Sequence, residues 1–127
     1  QRPPILMVDK LISVNDDVAV TSFMVRSDNC FIDEDGLLAE AGLIEHIAQS
    51  ASAVAGYKAV NAGATKPPLG YIGEIKNFCC LHRPQIGDKL STTILMGSEI
   101  AGITIISGET RVLDEVVANT QMKIFIK

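Results

Sequence analysis

Basic residues are sparse and scattered in this chain: 11 Lys and Arg stand against 15 Asp and Glu, for a net charge of −4. Without a basic stripe nothing can neutralise a phosphate backbone, so nucleic acid is not an expected partner. A long uninterrupted apolar run is missing too. The most apolar stretch, 41–55, is broken by Glu45, His46, Gln49 and several serines, which a bilayer core tolerates only at a cost. Neither a membrane span nor a secretory leader is therefore expected. Cys30, Cys79 and Cys80 form an odd set without metal-ligand spacing, and two histidines, His46 and His82, are too few to complete a metal site. The thiols read as reduced core residues of a cytoplasmic protein, with Cys79 and Cys80 facing opposite sides of one strand. Polar tracts and repeats are also lacking, and 47% hydrophobic against 20% charged residues argues for a packed core over disorder.

What remains is a chain of 127 residues, suited to a single domain spanning 1–127. Residues 5–14, rich in Ile, Leu, Met and Val after Pro3-Pro4, predict a first strand, and 18–26 predict its hairpin partner across Asn15-Asp16-Asp17. Asp33-Glu34-Asp35-Gly36 makes a turn whose carboxylates suit a helix start near Leu37. No proline follows until after residue 60, and about 24 residues at roughly 1.5 Å each give a helix of about 36 Å, long enough to cross a small domain. Candidate strands follow at 69–81, 89–96, 102–113 and 116–126. In the last of these Val116, Ala118, Thr120, Met122, Ile124 and Ile126 share one face.

The predicted helix carries Ala39, Ala41, Ala48, Ala51, Ala53, Ala55 and Ala59 on nearly all sides, among Leu43, Ile44, Ile47 and Val54. That pattern points to an enclosed helix. Two strands, one long helix and four strands give an α+β class in which an antiparallel sheet curls over the helix. A carboxylate in such a helix, Glu45, is costly unless it is paired, protonated or used.

Several segments resemble the β-hydroxyacyl-acyl carrier protein dehydratase branch of the hotdog superfamily. Arg2-Pro3-Pro4-Ile5-Leu6-Met7-Val8-Asp9 is similar to its opening strand and Gly42-Leu43-Ile44-Glu45-His46-Ile47-Ala48-Gln49 to its helix motif. Leu69-Gly70-Tyr71-Ile72-Gly73 with Lys76-Asn77-Phe78 resembles its third strand, and Gly87-Asp88 its Pro-Gly-Asp turn, with Ile86 in place of Pro. The resemblance implies a hotdog fold, Glu45 as a catalytic acid, and backbone N–H groups at Ala41 and Gly42 facing a thioester carbonyl. Dehydrating a 3-hydroxyacyl thioester needs a base at C2, an oxyanion site and an acid for the departing hydroxyl. The family's base, a histidine in a His-Phe-Pro-Gly motif, has no counterpart here, where the region reads Asp28-Asn29-Cys30-Phe31-Ile32-Asp33. A degenerate motif of this kind, with Asp35-Gly36 before Ile47-Ala48-Gln49, resembles the dehydratase-like proteins of aryl-polyene pigment clusters.

Asn29 is the polar candidate nearest the missing histidine; it can orient a water or a carbonyl but cannot take a proton. Gln49, four residues beyond Glu45 on the same face, can hold that carboxylate, or be a buried amide bonded to backbone. Tyr71 joins the substrate-binding set, although a packing role is its ordinary one. His46, rotated about 100° from Glu45, suits the core or a dimer contact, and His82 an exposed strand end. The glycines Gly70 and Gly73 inside a strand suggest a bulge or the close approach of another chain or an acyl tail.

Three functions follow. One is 3-hydroxyacyl thioester dehydration in fatty-acid or polyene-type lipid metabolism, on acyl carrier protein or coenzyme A, by a homodimer or by a heterodimer with another hotdog protein supplying the base. Another is thioester hydrolysis through Glu45. The third is a non-catalytic subunit of a hetero-hotdog dehydratase. None implies a cofactor.

Overall fold

A computed structural model of the protein describes residues 6–63 and 70–126. Their order is β1 (Lys10–Asn15), β2 (Val18–Met24), α1 (Glu40–Asn61), β3 (Gly70–Cys80), β4 (Lys89–Ile100), β5 (Ile103–Val112) and β6 (Glu115–Ile126). The strands form one six-stranded antiparallel sheet in the order β1-β2-β4-β5-β6-β3. Within it, β1 and β3 are the edges. The period of two decides which side chains meet the helix: Leu90, Thr92 and Ile94 of β4, Thr104, Ile106 and Thr110 of β5, and Ala118, Thr120, Met122 and Ile124 of β6 are all buried.

The helix meets that face through Ile47, Ala48, Ala51 and Val54, which pack with Ala19, Ile94, Ile106, Met122 and Ile124. Nearer its N-terminus Leu43 packs in a second cluster with Met7, Phe23, Val25, Leu38 and Leu90. Each such large side chain contributes roughly 1.5–3 kcal/mol by leaving water. No helix among the described residues is long and apolar enough to cross a membrane.

Several expectations need correction. The helix begins at Glu40, not near Leu37, because Leu37 and Leu38 bridge to Gln85 and Ile32 in short β contacts. Asp33 accepts the Asp35 and Leu37 N–H groups at 2.9 and 3.1 Å, so it closes its own turn and leaves the helix uncapped. The helix is also not enclosed by its own chain: Ala41, Tyr57 and Val60 are exposed and Glu45, Gln49, Ser52 and Ala53 half-buried. The sheet covers one side of it, and small residues on the other leave an open stripe. The thiols are not core residues, since Cys30 and Cys79 are exposed and Cys80 half-buried; Cys30 lies in a turn, and Cys79 and Cys80 on an edge strand. First-strand pairing starts at Lys10, and the fourth strand continues to Ile100. Residue 5, Leu69 and the Lys66-Pro67-Pro68 loop lie outside the described residues.

Gly73 does sit at a bulge, where the β3–β6 register shifts between Ile72 and Glu74. The close approach there is internal, because a Cβ at Gly73 would collide with the ring of Phe125.

The β5–β6 hairpin turns through Leu113 and Asp114, both at positive φ (49° and 70°). Two such residues match the strand twist in a tight hairpin, but a branched side chain is strained there. Leu113 is 92% exposed, so no packing compensates. Leu113→Asn is therefore expected to stabilise the fold by about 0.5–1 kcal/mol, read as a higher urea midpoint at unchanged slope; an equal or lower midpoint would show the turn to be unstrained.

Candidate functional site

Met7 organises the site from just ahead of β1. Its side chain is fully buried, and its peptide groups meet α1 on both sides. The Met7 N–H donates to Oε1 of Gln49 at 2.8 Å. Since an amide presents its oxygen on one side only, this bond turns the Gln49 NH2 outward, where Nε2 donates to Oε2 of Glu45 at 3.0 Å. Glu45 and Gln49 thus stand one turn apart on the open stripe, both half-buried. The carboxylate keeps an oxygen for another partner.

The Met7 carbonyl accepts from Nδ1 of His46 at 2.5 Å. A carbonyl can only accept, so Nδ1 carries the hydrogen. In the neutral ring Nε2 then accepts from the Thr92 hydroxyl at 2.6 Å, and Thr92 lies 2.7 Å from the Thr110 hydroxyl. The ring also stacks on Phe23, with centroids 5.7 Å apart. Burial drives the His46 pKa down to about 4, against smaller opposing effects of the Met7 carbonyl and Asp9. His46 is thus a neutral core residue that holds Met7, and through it Gln49.

Asn29 touches the same hub. Its Nδ2 lies 3.2 Å from Sδ of Met7, while its Oδ1 accepts the Phe31 N–H at 2.8 Å, closing a local turn. Both ends of its amide are thereby engaged within the chain. Tyr71 pairs with Phe125 across the β3–β6 ladder, but its side chain lies outside the described residues. His82 is exposed at the end of β3.

The helix start is shaped by close packing. A Cβ on Gly42 would meet Phe31 and Leu38 at 2.7 and 2.9 Å, so only glycine lets the 31–38 lead-in lie so close. The Gly42 N–H is already bonded to the Ala39 carbonyl at 2.9 Å. The Glu40 and Ala41 N–H groups, first in the helix, have no helical carbonyl ahead of them, and Ala41 is exposed. The amides able to meet a ligand oxygen are therefore those of Glu40 and Ala41. Nearby, burial and the Glu40 carboxylate push the Cys80 thiol up, away from a nucleophilic thiolate. Among the described residues no group of three His, Cys, Asp or Glu could hold a metal ion.

Met7, Thr92 and Thr110 are the site-building residues that sequence reasoning missed. Met7 lies in the opening segment that carried the family resemblance, but its role belongs to its backbone, which leaves no residue-type signal.

A long helix held in a curled antiparallel sheet, with a carboxylate on its open stripe, defines a hotdog protein. A family model described as ApeP-like, ApeP dehydratase, matches residues 1–127, and the chain belongs to that family. It is a dehydratase-like hotdog protein, as the helix and opening-strand motifs imply. Among solved structures it is similar to a chain of the dehydratase heterocomplex ApeI:P from Xenorhabdus doucetiae, at TM-score 0.90 and 18% identity, covering 100% of this chain and 86% of that one. It is also similar to a hypothetical thioesterase from Streptococcus pneumoniae with coenzyme A (TM-score 0.72, 13% identity, 93% and 84% covered). A Streptococcus mutans protein bound to acetyl-CoA is comparable (TM-score 0.72, 12% identity, 92% and 86% covered). At these identities the likeness is one of fold. No curated protein matches the chain significantly.

His46 gives the fold a pH signature. Its folded pKa is lowered to about 4 from an ordinary 6.5, so below 6.5 the unfolded chain takes up a proton that the folded chain refuses. Stability is expected to fall between about pH 6.5 and 4, by on the order of 3 kcal/mol, and to gain no further loss from this group below pH 4. Urea denaturation across that range checks it: the loss should be much smaller in His46→Gln, and an equal loss in both proteins would rule out the neutral core histidine.

Proposed function

We propose that the chain, acting as one hotdog domain over residues 1–127, contributes Glu45 as the acid in dehydration of 3-hydroxyacyl thioesters. The observation that carries this reading is the fixed amide of Gln49, which holds the Glu45 carboxyl in place on the open stripe of the helix. A thioester carbonyl placed on the Glu40 and Ala41 amides, beside Gly42, would have its developing enolate oxygen stabilised there. Glu45 would then deliver a proton to the departing 3-hydroxyl, which leaves as water, while a base removes the C2 proton. Asn29 would orient the thioester or a water near the Met7 hub, and Tyr71 would line the acyl path.

Residues 28–33 contain no histidine, so we assign the base to a second hotdog chain. The long edge strand β3 suits that role: joining it to a like edge would cover unpaired backbone groups and close the open stripe of α1 into a groove. Homodimer and heterodimer both meet this geometry, but only a chain with its own base histidine completes the dehydratase. That the ApeI:P structure is a dehydratase heterocomplex supports the heterodimer. The substrate would be carried on acyl carrier protein or coenzyme A in a cytoplasmic fatty-acid or polyene-type pathway.

The missing histidine favours a second reading, hydrolysis, in which Glu45 activates water and no second base is needed. The product separates the readings. Incubation of a 3-hydroxyacyl pantetheine thioester with this chain and a histidine-bearing hotdog partner is expected to yield enoyl thioester by mass spectrometry, and Glu45→Gln to lower the rate by roughly 10²–10⁴-fold. Free acid and thiol would assign hydrolysis. Thioester binding without turnover, unaffected by Glu45→Gln, would leave a non-catalytic subunit.

A further inference from the structure

We propose that Arg83 is a positioning residue that fixes the segment leading into α1, and through it the first-turn amides and Glu45. The inference rests on the reading above for what those groups do, but the contacts stand independently. Arg83 follows the end of β3, and its guanidinium addresses three groups of the lead-in. Nε donates to the Leu38 carbonyl at 2.9 Å, Nη2 reaches the Leu37 carbonyl at 3.4 Å, and Nη2 also pairs closely with Oδ2 of Asp33. The other Asp33 oxygen accepts the Asp35 and Leu37 N–H groups. The neighbouring backbone joins in, with the Leu38 N–H on the Pro84 carbonyl at 2.7 Å and the Ala39 N–H on the Phe31 carbonyl at 2.8 Å.

The need for such a clamp lies in the helix start. Ala39 is the N-cap and supplies no side-chain bond, so the first turn lacks the usual local anchor. A cation near a helix N-terminus is unfavourable to the helix dipole, so Arg83 is not placed to stabilise the helix electrostatically. Its planar fork instead sets two carbonyls and a carboxylate in one geometry, which the single ammonium of lysine cannot reproduce. The guanidinium also holds the Asp33 carboxyl below the usual carboxylate range, in keeping with a persistent pair. Leaving the cap empty and holding the lead-in from outside keeps the Glu40 and Ala41 amides open toward a ligand.

Two measurements test this, on wild type, Arg83→Gln, Arg83→Lys, Asp33→Asn and the Arg83→Gln/Asp33→Asn double variant. Amide hydrogen exchange is expected to accelerate at least about tenfold at Leu38, Ala39, Gly42 and Leu43 in Arg83→Gln, with Ile47 to Val54 unchanged. In turnover with the hotdog partner, kcat is expected to fall about 10–100-fold with KM changed far less. Arg83→Lys should be intermediate, and the double variant no worse than the poorer single one. Unchanged exchange at the helix start, acceleration along the whole helix, or accelerated exchange with full kcat would each overturn the proposal. If wild type itself gives no dehydration, the dehydratase reading fails and the exchange pattern alone decides on the clamp.

Discussion

The N–H and carbonyl of one buried residue, Met7, meet two helix side chains that point to different environments. Gln49 faces the open stripe and His46 the core, and both are aligned by the same short piece of backbone. That double contact ties the opening segment to α1, and the Thr92 and Thr110 hydroxyls tie His46 on to the sheet. A buried polar network of this kind stabilises only if each member is satisfied, and among the described residues no buried side-chain polar atom lacks a partner. The orientation of Glu45 is thus a consequence of how the core closes.

The electrostatics follow the same division. Inside, polarity is neutral: a histidine kept uncharged by burial, and hydroxyls bonded in series. The ion pairs are partly exposed, as with Arg26 and Asp9 or Lys123 and Glu74, and individually contribute little to stability. Arg83 with Asp33 differs from these in what it touches, since its remaining donors reach the backbone that enters the helix.

Much of the architecture was legible in the residues. Period-two burial from Ala118 to Ile124, the long proline-free helix and the turns near Asn15 and Asp114 are local patterns, and each survives in the fold; the alternation breaks at Val117, which is buried beside a half-buried Val116 where the β5–β6 register shifts. The sequence misplaces the helix start because Leu37 bridges to Gln85 and the Leu38 N–H bonds to Pro84, residues of the loop between β3 and β4 that periodicity cannot reveal as partners. The small residues of α1 overstate its enclosure for a related reason. Small residues mark a surface that something approaches closely, without saying whether the approach comes from the same chain. Glu45 and Gln49 were visible as a pair from their spacing, whereas Met7 and Arg83 act through backbone contacts over long sequence separations.

The direct test of the account is where an acyl substrate lies. A 3-hydroxyacyl pantetheine thioester labelled with ¹³C at C1 and C3, bound to the protein with its hotdog partner, should give NMR contacts from C3 to the Glu45 and Gln49 side chains. Contacts from C1 should reach the Glu40 and Ala41 amides. Contacts confined to the outer face of the sheet, or to the partner chain with none at Glu45, would contradict it.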